Sequence, residues 1–394
     1  MSRPLRLFLV AAEESGDVLG GALMGALRER QSDVAFSGVG GRAMQSFGLN
    51  SLFDPSDVSI IGAASIPRKL PLIFRRIRET ADAAIAAQPD ALIIIDSPDF
   101  THRVARRVRK GAPGIPIFNY APPTVWAWRP WRARGMRAYV DEVLAILPFE
   151  PAAFARLGGP PCTYVGHPLA ERVADLRPKA TELRRTAGTP LVLVLPGSRG
   201  SEIRRLGSIF GEALALTADR AGAIDVVLPT LPHLAGQVAR TTANWAVHPR
   251  VVVAPDEKYA AFREARAALA ASGTVTLELA LGHVPMVTAY RVPAWEGAVF
   301  RLMAHIDTVI LANLVLGENV VPEFLQGDCT PSQLATGLIP LLHDTEGRRR
   351  QLRAFARLDR IMDLSGEPPS RRAAQAVLAG IERKTALPSL SGSC

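Results

Sequence analysis

The chain has 394 residues, 48% of them hydrophobic and 21% charged, which is long enough for two globular domains with separate cores. It has no apolar run long enough to span a bilayer, and its three cysteines match neither a disulfide framework nor a metal-binding spacing, which favours the reducing cytoplasm. The net charge of +9 predicts attraction to phosphorylated substrates, anionic membranes or nucleic acid; a nucleic-acid-binding protein is the weaker possibility because no recognised motif for it occurs.

Strand-like and helix-like stretches alternate through the first 165 residues, which predicts a parallel sheet covered by helices. A continuously apolar run predicts a buried strand at 91–95, and further strands are predicted at 7–11, 34–39, 115–120 and 142–147. Helices are predicted at 15–30, 71–87 and 103–110, with Pro71 near the start of the second because proline suits a first turn. We therefore expect a Rossmann-like domain at 1–165.

The second half repeats this alternation, with strands predicted at 191–195, 225–228, 251–253, 267–270 and 285–287. Between the halves, Gly158–Pro161 (GGPP) and the charged stretch Ala174–Arg185 have the composition of a hinge. A second Rossmann-like domain is expected at 166–365. Residues 366–394 are expected to form a C-terminal helix and a frayed tail.

Two turns in the second half have the composition of anion-binding turns. In Leu191–Gly200 (LVLVLPGSRG) a buried strand runs through Pro-Gly into a helix start, so backbone N–H groups and the positive helix end converge. Arg199 adds a permanent charge whose fork fits a phosphate. Ala271–Glu278 (ASGTVTLE) repeats the pattern and ends in a carboxylate that suits a ribose. Together they predict a nucleotide diphosphate site, whereas either turn alone is equally explained by a tight turn at the surface.

Ligands of such sheets bind beyond the carboxyl ends of the strands, which is where the polar motifs of this chain fall. The predicted fold class is therefore α/β, with two Rossmann-like domains facing a cleft. This architecture suits a two-domain glycosyltransferase, in which one domain holds the nucleotide sugar and the other the acceptor.

Eight motifs in order over nearly the whole length carry a resemblance to a known family. They are Glu13–Asp17 (EESGD) with Leu19-Gly20, Ile95–Phe100 (IDSPDF), Val125–Arg129 (VWAWR), Leu147–Glu150 (LPFE), Gly166–Pro168 (GHP), Pro196–Gly200 (PGSRG), Ala271–Thr274 (ASGT) with Leu277-Glu278, and Asn313-Leu314. With them the chain resembles the bacterial lipid-A-disaccharide synthases, and the IDSPDF and VWAWR strings are the most specific. The resemblance implies a GT-B-type, metal-independent, inverting glycosyltransferase that needs no cofactor.

The resemblance also implies the substrates. The family joins UDP-2,3-diacylglucosamine to 2,3-diacylglucosamine 1-phosphate, which gives the β-1,6 lipid A disaccharide 1-phosphate and UDP. Another UDP-sugar transferase or epimerase of the same fold, acting on a soluble acceptor, is the alternative. The chain departs from the family pattern at Ala12, Pro122, Ala312 and Glu318, of which the last reverses a charge near the expected nucleotide site.

Asp96 is the first choice for the catalytic base, because it follows a buried strand and matches the family position. An inverting transfer needs one base to take the proton from the attacking acceptor hydroxyl. Glu13, at another strand end, is expected to share catalytic and sugar-hydroxyl work. The competing interpretation for such carboxylates is helix capping, which suits Asp99 better than Asp96.

The remaining site residues follow from the resemblance and from the two turns. Nucleotide-sugar binding is expected from Gly197, Ser198, Arg199, Ser272, Gly273, Thr274, Glu278 and Asn313, and acceptor binding from Ser15, Asp17, Trp128 and Arg129. Tryptophans such as Trp126 and Trp128 are more often core residues than ligand contacts, and His167 is as readily structural as chemical. No cluster has the spacing of a metal site, so the arginine and the helix dipole are expected to replace a cation.

An apolar and basic segment in the first half predicts contact with a membrane. Residues 60–78 (IIGAASIPRKLPLIFRRIR) combine eight large apolar side chains with five basic ones. The side chains expected at the membrane are Ile66, Leu70, Phe74, Arg75 and Arg76. Such a segment suits peripheral association with an anionic leaflet, here the cytoplasmic face of the inner membrane. Ordinary core packing of Ile73, Ile77, Ala81 and Ile85 is the competing interpretation for part of it.

Overall fold

The computed structural model describes residues 3–58, 66–178, 188–293 and 308–386, with the side chains of 66–69 left out of the description. The chain divides into two compact units, of which the first comprises Met1–Pro168 with Gly366–Cys394 and the second Leu169–Ser365. The predicted frayed tail after residue 386 and the end of the predicted hinge, at 179–185, lie outside the described residues.

The first unit is built on a sheet of seven strands that all pair in parallel. The strands are β1 (Leu5–Ala11), β2 (Val34–Val39), β3 (Asn50–Ser51), β4 (Ala91–Ile95), β5 (Ile117–Tyr120), β6 (Glu142–Ala145) and β7 (Cys162–Tyr164), in the spatial order β3-β2-β1-β4-β5-β6-β7. The helices are α1 (Glu14–Arg30), α2 (Arg42–Ser46), α3 (Ile66–Ala87), α4 (Pro98–Gly111), α5 (Trp131–Met136) and α6 (Glu150–Arg156).

Both faces of this sheet are buried, which explains why its central strands are continuously apolar. Successive side chains of a strand point to opposite faces. Phe8 and Ile94 pack on one face with residues of α3 and α4, whereas Leu9 and Ile93 pack on the other with residues of α1. A strand covered on both sides has no polar alternation, and the bounds predicted for β4 accordingly match those of the structure. The bounds predicted for β2, whose first four residues are not buried, match as well.

Helix α3 begins five residues earlier than the sequence indicated. We expected a proline-broken segment before Pro71, but the helix starts at Ile66 and carries Pro71 inside it. The hydrogen bond that proline removes near the start of a 22-residue helix is offset by the face that the helix buries, which includes Ile73 and Ile77. Among the described helices, α3 included, none has the length and apolar character needed to cross a membrane.

The second unit repeats the design with a parallel sheet of six strands. The strands are β8 (Leu191–Leu195), β9 (Asp225–Pro229), β10 (Arg250–Val252), β11 (Ala267–Ala271), β12 (Met286–Tyr290) and β13 (Glu323–Leu325), in the order β10-β9-β8-β11-β12-β13. The helices are α7 (Val173–Leu176), α8 (Gly200–Ala221), α9 (Ala235–Thr242), α10 (Pro255–Glu264), α11 (Val275–Leu281), α12 (Leu311–Leu316), α13 (Pro331–Leu342) and α14 (Glu346–Ile361).

The last described helix, α15 (Pro369–Ala386), belongs to the first unit although it follows the second in the chain. Its buried Ala373 and Val377 join the apolar cluster that contains Phe118. At Gly380 the helix lies so close to the sheet that a Cβ atom would stand 2.5 Å from the Phe118 ring. Arg383 then binds Glu142 of β6 at 2.6 Å. The expected C-terminal helix therefore completes the core of the first unit.

Candidate active site

Asp96 lies in a strained turn at the carboxyl end of β4. Asp96 and Ser97 have φ values of 52° and 42°, in the left-handed region that residues with a Cβ rarely enter. The turn is held by a backbone hydrogen bond from Asp96 N to Tyr120 O (3.1 Å) and by Thr101 Oγ1, which donates to Asp96 O (2.7 Å). Strain of this kind persists only where the surroundings enforce it, and it clusters at functional sites.

The carboxylate of Asp96 is half-buried and bonded to the start of α1. Its Oδ2 accepts a hydrogen bond from Ser15 Oγ (2.9 Å), and its Oδ1 accepts one from Ser97 N (2.7 Å). Gly16 permits this contact, because a Cβ there would lie 3.3 Å from Ile95 O. The structure thus brings together Asp96 and Ser15, which the sequence assigned to the same site although 81 residues separate them.

The two acidic residues beside Ser15 differ from each other. Glu13 is exposed at the N-cap of α1. Asp17 is buried, and its carboxylate accepts hydrogen bonds from Gly41 N, Ala43 N and Met44 N at 2.7–3.0 Å. The acceptor contact expected of Asp17 is corrected accordingly: this carboxylate caps α2, which is the alternative that applies to short acidic side chains near helix starts.

The VWAWR motif forms the loop after β5, where its two tryptophans have different surroundings. Trp126 is buried, donates from Nε1 to Glu150 Oε1 (3.1 Å) and meets the Phe149 ring edge to face at 4.9 Å. Trp128 is 40% exposed and carries the guanidinium of Arg129 at 4.1 Å from its ring centroid. Trp126 is therefore a core residue, and Trp128 with Arg129 offers an exposed aromatic and cationic surface to a ligand.

Glu150 is a buried carboxyl group at the end of the LPFE motif, and the sequence indicated no role for it. Besides Trp126, it accepts hydrogen bonds from Ile146 N (3.1 Å) and Leu147 N (2.9 Å). Burial raises its pKa to about 7 despite these three donors. Glu150 thereby ties the loop after β5 to the loop after β6. The only feature of the sequence that could have indicated this role is that Glu150 follows apolar residues in LPFE and that the neighbouring motif VWAWR contains tryptophans.

In the second unit, the PGSRG turn follows β8 and leads into α8 with the geometry expected of an anion-binding turn. Gly197 has a φ of 116°, and a Cβ there would lie 2.2 Å from Glu202 Oε2. The N–H groups of Ser198 and Arg199 both donate to that same Oε2, at 3.0 and 3.2 Å. The two amides therefore bind an anion, but it is the chain's own Glu202. The side chain of Arg199 is 79% exposed.

The ASGT turn follows β11, the strand that pairs with β8, so the two predicted turns lie at the same edge of the sheet. Gly273 has a φ of 157° with open space around it. Ser272 Oγ donates to Val309 O (3.2 Å), while Thr274 is the N-cap of α11. Glu278, one turn further, binds Lys258 Nζ at 2.8 Å, a partner that sequence spacing gave no reason to expect.

Asn313 is buried and its amide is fully engaged with the backbone. Its Oδ1 accepts from Val320 N (3.1 Å) and Val321 N (2.9 Å), and its Nδ2 donates to Val321 O (3.1 Å). These hydrogen bonds give Asn313 a structural role, and the nucleotide contact expected of it stays a prediction. The nearby charge reversal at Glu318 is matched by an ion pair with Arg357.

The described hollows of the first unit lie at opposite edges of its sheet. A large, open one of about 680 Å³ lies at the amino ends of the strands, beside Arg3 and Asp90. A smaller one of about 120 Å³ begins at Pro98, two residues after Asp96. Because ligands of parallel sheets bind at the carboxyl ends, the smaller hollow is the one relevant to the site. Within the described ranges, no three His, Cys, Asp or Glu side chains are grouped as a metal site.

Comparison with known proteins places the whole chain in one family. A model of the family described as lipid-A-disaccharide synthetase matches residues 7–379. The lipid-A-disaccharide synthase of Nitrobacter hamburgensis is 60% identical over 375 residues, which cover 95% of each chain. That of Rhodopseudomonas palustris strain HaA2 is 58% identical over 375 residues, again with 95% of each chain covered.

Solved structures share the fold at low sequence identity. Acinetobacter baumannii MurG has a TM-score of 0.54 and 15% identity, with 96% of this chain and 100% of that chain covered. The UDP-GlcNAc 2-epimerase of Neisseria meningitidis has a TM-score of 0.53 and 10% identity, with coverage of 97% and 100%. The predicted α/β class with two Rossmann-like domains is confirmed by these likenesses and by the two parallel sheets.

The raised pKa of Glu150 generates a stability prediction. The folded-state pKa of about 7 lies above the ordinary value of 4.5, so the neutral carboxyl stabilises the fold at low pH and this contribution is lost as the pH rises from about 4.5 to about 7. Across that window the free energy of unfolding of the native protein should fall by about 3 kcal/mol relative to Glu150→Gln. Urea denaturation of both proteins at several pH values measures this difference; parallel pH profiles would contradict it.

Proposed function

This chain belongs to the lipid-A-disaccharide synthase family, as its motifs predicted, and is a glycosyltransferase of lipid A synthesis; we propose that it catalyses an inverting transfer between two acylated glucosamines. The donor is UDP-2,3-diacylglucosamine and the acceptor 2,3-diacylglucosamine 1-phosphate. The products are the β-1,6 disaccharide 1-phosphate and UDP. We assign donor binding to the second unit and acceptor binding to the first.

The observation that carries this proposal is the fixed carboxylate of Asp96 at the carboxyl end of β4. In the proposed reaction Asp96 takes the proton of the acceptor hydroxyl as its oxygen attacks the anomeric carbon of the donor from the side opposite UDP. The bond from the anomeric carbon to the diphosphate breaks as the new glycosidic bond forms, so the configuration inverts. Ser15 positions the carboxylate through Oδ2, and exposed Glu13 supports the sugar hydroxyls.

The leaving group needs electrostatic support in the second unit. We assign this role to Arg199, whose exposed guanidinium can follow the charge that grows on the diphosphate. A phosphate oxygen that binds the amides of Ser198 and Arg199 has to replace Glu202 Oε2, which occupies them now. Ser272, Gly273 and Thr274 are proposed to bind the diphosphate at the neighbouring turn, and Glu278 the ribose.

The acylated substrates have to reach the first unit from a bilayer. Leu70 and Phe74 of α3 are 39% and 54% exposed, away from the buried stripe of that helix, and Arg75 is exposed beside them. We therefore propose peripheral contact of this part of α3 with the anionic cytoplasmic face of the inner membrane. Arg76 is corrected out of this surface, because it binds Asp57 (2.5 Å) and Glu79 (2.7 Å) and is only 19% exposed. The side chain of Ile66 lies outside the described residues.

The catalytic role of Asp96 is tested by Asp96→Asn. The amide keeps the shape of the side chain but cannot accept the proton, so the rate at saturating substrate should fall by about two to four orders of magnitude while UDP affinity and the melting temperature stay unchanged. The assay follows radiolabelled donor into disaccharide. Asp33→Asn, an exposed aspartate at the opposite edge of the same sheet, is the control. A near-normal rate in Asp96→Asn removes this residue from the mechanism, and an epimerised UDP-sugar as product would favour the alternative enzyme class.

The nucleotide-binding roles predict a contrast between Arg199→Ala and Glu278→Ala. Both should weaken UDP binding, measured by calorimetry, but only Arg199→Ala should also lower kcat strongly, since its partner charge develops in the transition state. Arg220→Ala, at the far end of α8, is the control because this side chain is also exposed. EDTA should leave activity unchanged. Loss of activity with EDTA and recovery with magnesium would show that a metal is required.

Membrane contact is tested by replacing Leu70 and Phe74 with serine. The double variant should sediment less with anionic vesicles, because the apolar side chains that enter the leaflet are gone, and should retain wild-type UDP affinity. Binding by the wild-type protein should weaken as salt rises. Val253→Ser is a matched control, since Val253 is 39% exposed and lies in the second unit. Unchanged sedimentation of the double variant would make these side chains ordinary surface residues.

A further inference from the structure

The small hollow that begins at Pro98, in the first turn of α4, has three arginines among its eight lining residues. It measures about 120 Å³ and lies where α4 begins after β4, with Arg103 and Arg106 on α4 and Arg132 on α5. At about 30 Å³ per water, it has room for about four water-sized groups. Its size therefore suits one small polar group, and its walls suit an anion.

The charges of this hollow, which we call the arginine cavity, are largely uncompensated. Arg132 meets Asp99 at 3.4 Å, whereas Arg103 and Arg106 form no ion pair with a carboxylate among the described residues. Arg106 instead lies 4.7 Å above the Tyr139 ring, and one of its N–H groups is 3.4 Å from the Tyr139 hydroxyl. Three guanidinium groups against one carboxylate leave a net charge of two positive.

The floor of the cavity adds no charge of its own. His102 is buried and its Nδ1 lies 2.9 Å from the Tyr139 hydroxyl. Burial, and then the positive charge of Arg106, lower the pKa of His102 to about 4, so the imidazole is neutral at physiological pH. His102 and Tyr139 therefore form an uncharged floor, and Arg106 packs on the Tyr139 ring. Three like charges held around a small hollow repel one another until an anion enters.

The position of the cavity connects it to both ends of the proposed acceptor. It begins two residues after Asp96, the proposed base. On its other side, the guanidinium of Arg103 lies 5.5 Å from the ring of Phe74, one of the exposed apolar residues of α3. The helix that begins beside the proposed base, α4, therefore also carries the cavity arginine that contacts the surface proposed to meet the acyl chains.

We propose that the arginine cavity binds the phosphate monoester of the acceptor sugar. A phosphate monoester carries about −1.5 to −2 charges at pH 7, which matches the net charge of the cavity, and planar guanidinium groups bind its oxygens in pairs. This inference rests on the function proposed above and makes Arg106 and Arg132 determinants of acceptor specificity. On phosphate binding, Arg132 exchanges its long contact with Asp99 for the ligand.

The test measures the activity of wild type, Arg106→Gln and Arg132→Gln on two acceptors in detergent micelles. One acceptor is diacylglucosamine 1-phosphate and the other is the same sugar without phosphate. Each loss removes a charge-assisted contact, so KM for the phosphorylated acceptor should rise by about tenfold to a hundredfold with kcat nearly unchanged. Turnover of the phosphate-free acceptor should stay as in the wild type. Arg106→Lys should recover part of the loss. Arg107→Gln, an exposed neighbour on α4 outside the cavity, is the matched control.

The other outcomes separate this inference from its alternatives. Equal losses with both acceptors would overturn it in favour of a structural role, and no change with either would overturn it outright. Unchanged KM in micelles together with weaker sedimentation on phosphatidylglycerol vesicles would assign the cavity to a membrane headgroup instead. Failure of the wild-type protein to make disaccharide from either acceptor would refute the proposed function itself, and the inference with it. Circular dichroism melting curves verify that each variant is folded.

Discussion

The geometry of the site depends on one constraint, namely that two buried, apolar strands pair in parallel at the centre of each sheet. In the first unit β1 pairs with β4, and in the second β8 pairs with β11. At each of these pairs the strand order reverses direction, so the loops that follow the two strands leave toward opposite sides and open a crevice between them. The EESGD and IDSPDF motifs follow the first pair, and the PGSRG and ASGT motifs follow the second.

Carboxylates of the chain itself organise these loops. Asp17 binds N–H groups after β2, Glu150 binds those after β6, and Glu202 binds those after β8. Backbone donors just beyond a strand have lost their ladder partners, and the oxygens of one carboxyl group satisfy two or three of them at once. A phosphate proposed to bind at such a loop therefore has to displace the carboxyl group, as at Glu202, or to bind a side chain such as exposed Arg199.

The parts of the fold that the sequence predicted well are those decided by local pattern. Apolar runs located β2, β4 and β8 with their observed bounds, and turn chemistry located PGSRG and ASGT. The placement of Asp96 beside Ser15 followed because parallel strands end at a common edge. The buried stripe of α3 likewise followed from helical periodicity, which separated Ile73 from exposed Phe74.

The parts that it missed depend on contacts between distant residues. Asp17 and Asn313 are polar residues in motifs that carry the family resemblance, and only the positions of Gly41 and Val321 show that backbone groups satisfy their side chains. Lys258 lies 20 residues before Glu278 on a different helix, so no spacing rule connects them. The predicted start of α3 was wrong because the hydrogen bond lost at Pro71 can be judged from the sequence, whereas the burial of Ile73 and Ile77 that offsets this loss cannot.

The return of α15 to the first unit has a consequence for biosynthesis. The second unit is continuous in the chain and can fold as soon as its residues have been made. The first unit has to wait, since Phe118 and its apolar neighbours are covered only when Val377 arrives. Translation of the intervening stretch at about 5–20 residues per second takes roughly 10 to 40 seconds. Throughout that interval the part of the sheet face around Phe118 is exposed in the nascent first unit, although α1 covers Leu9 and Ile93 on the same face.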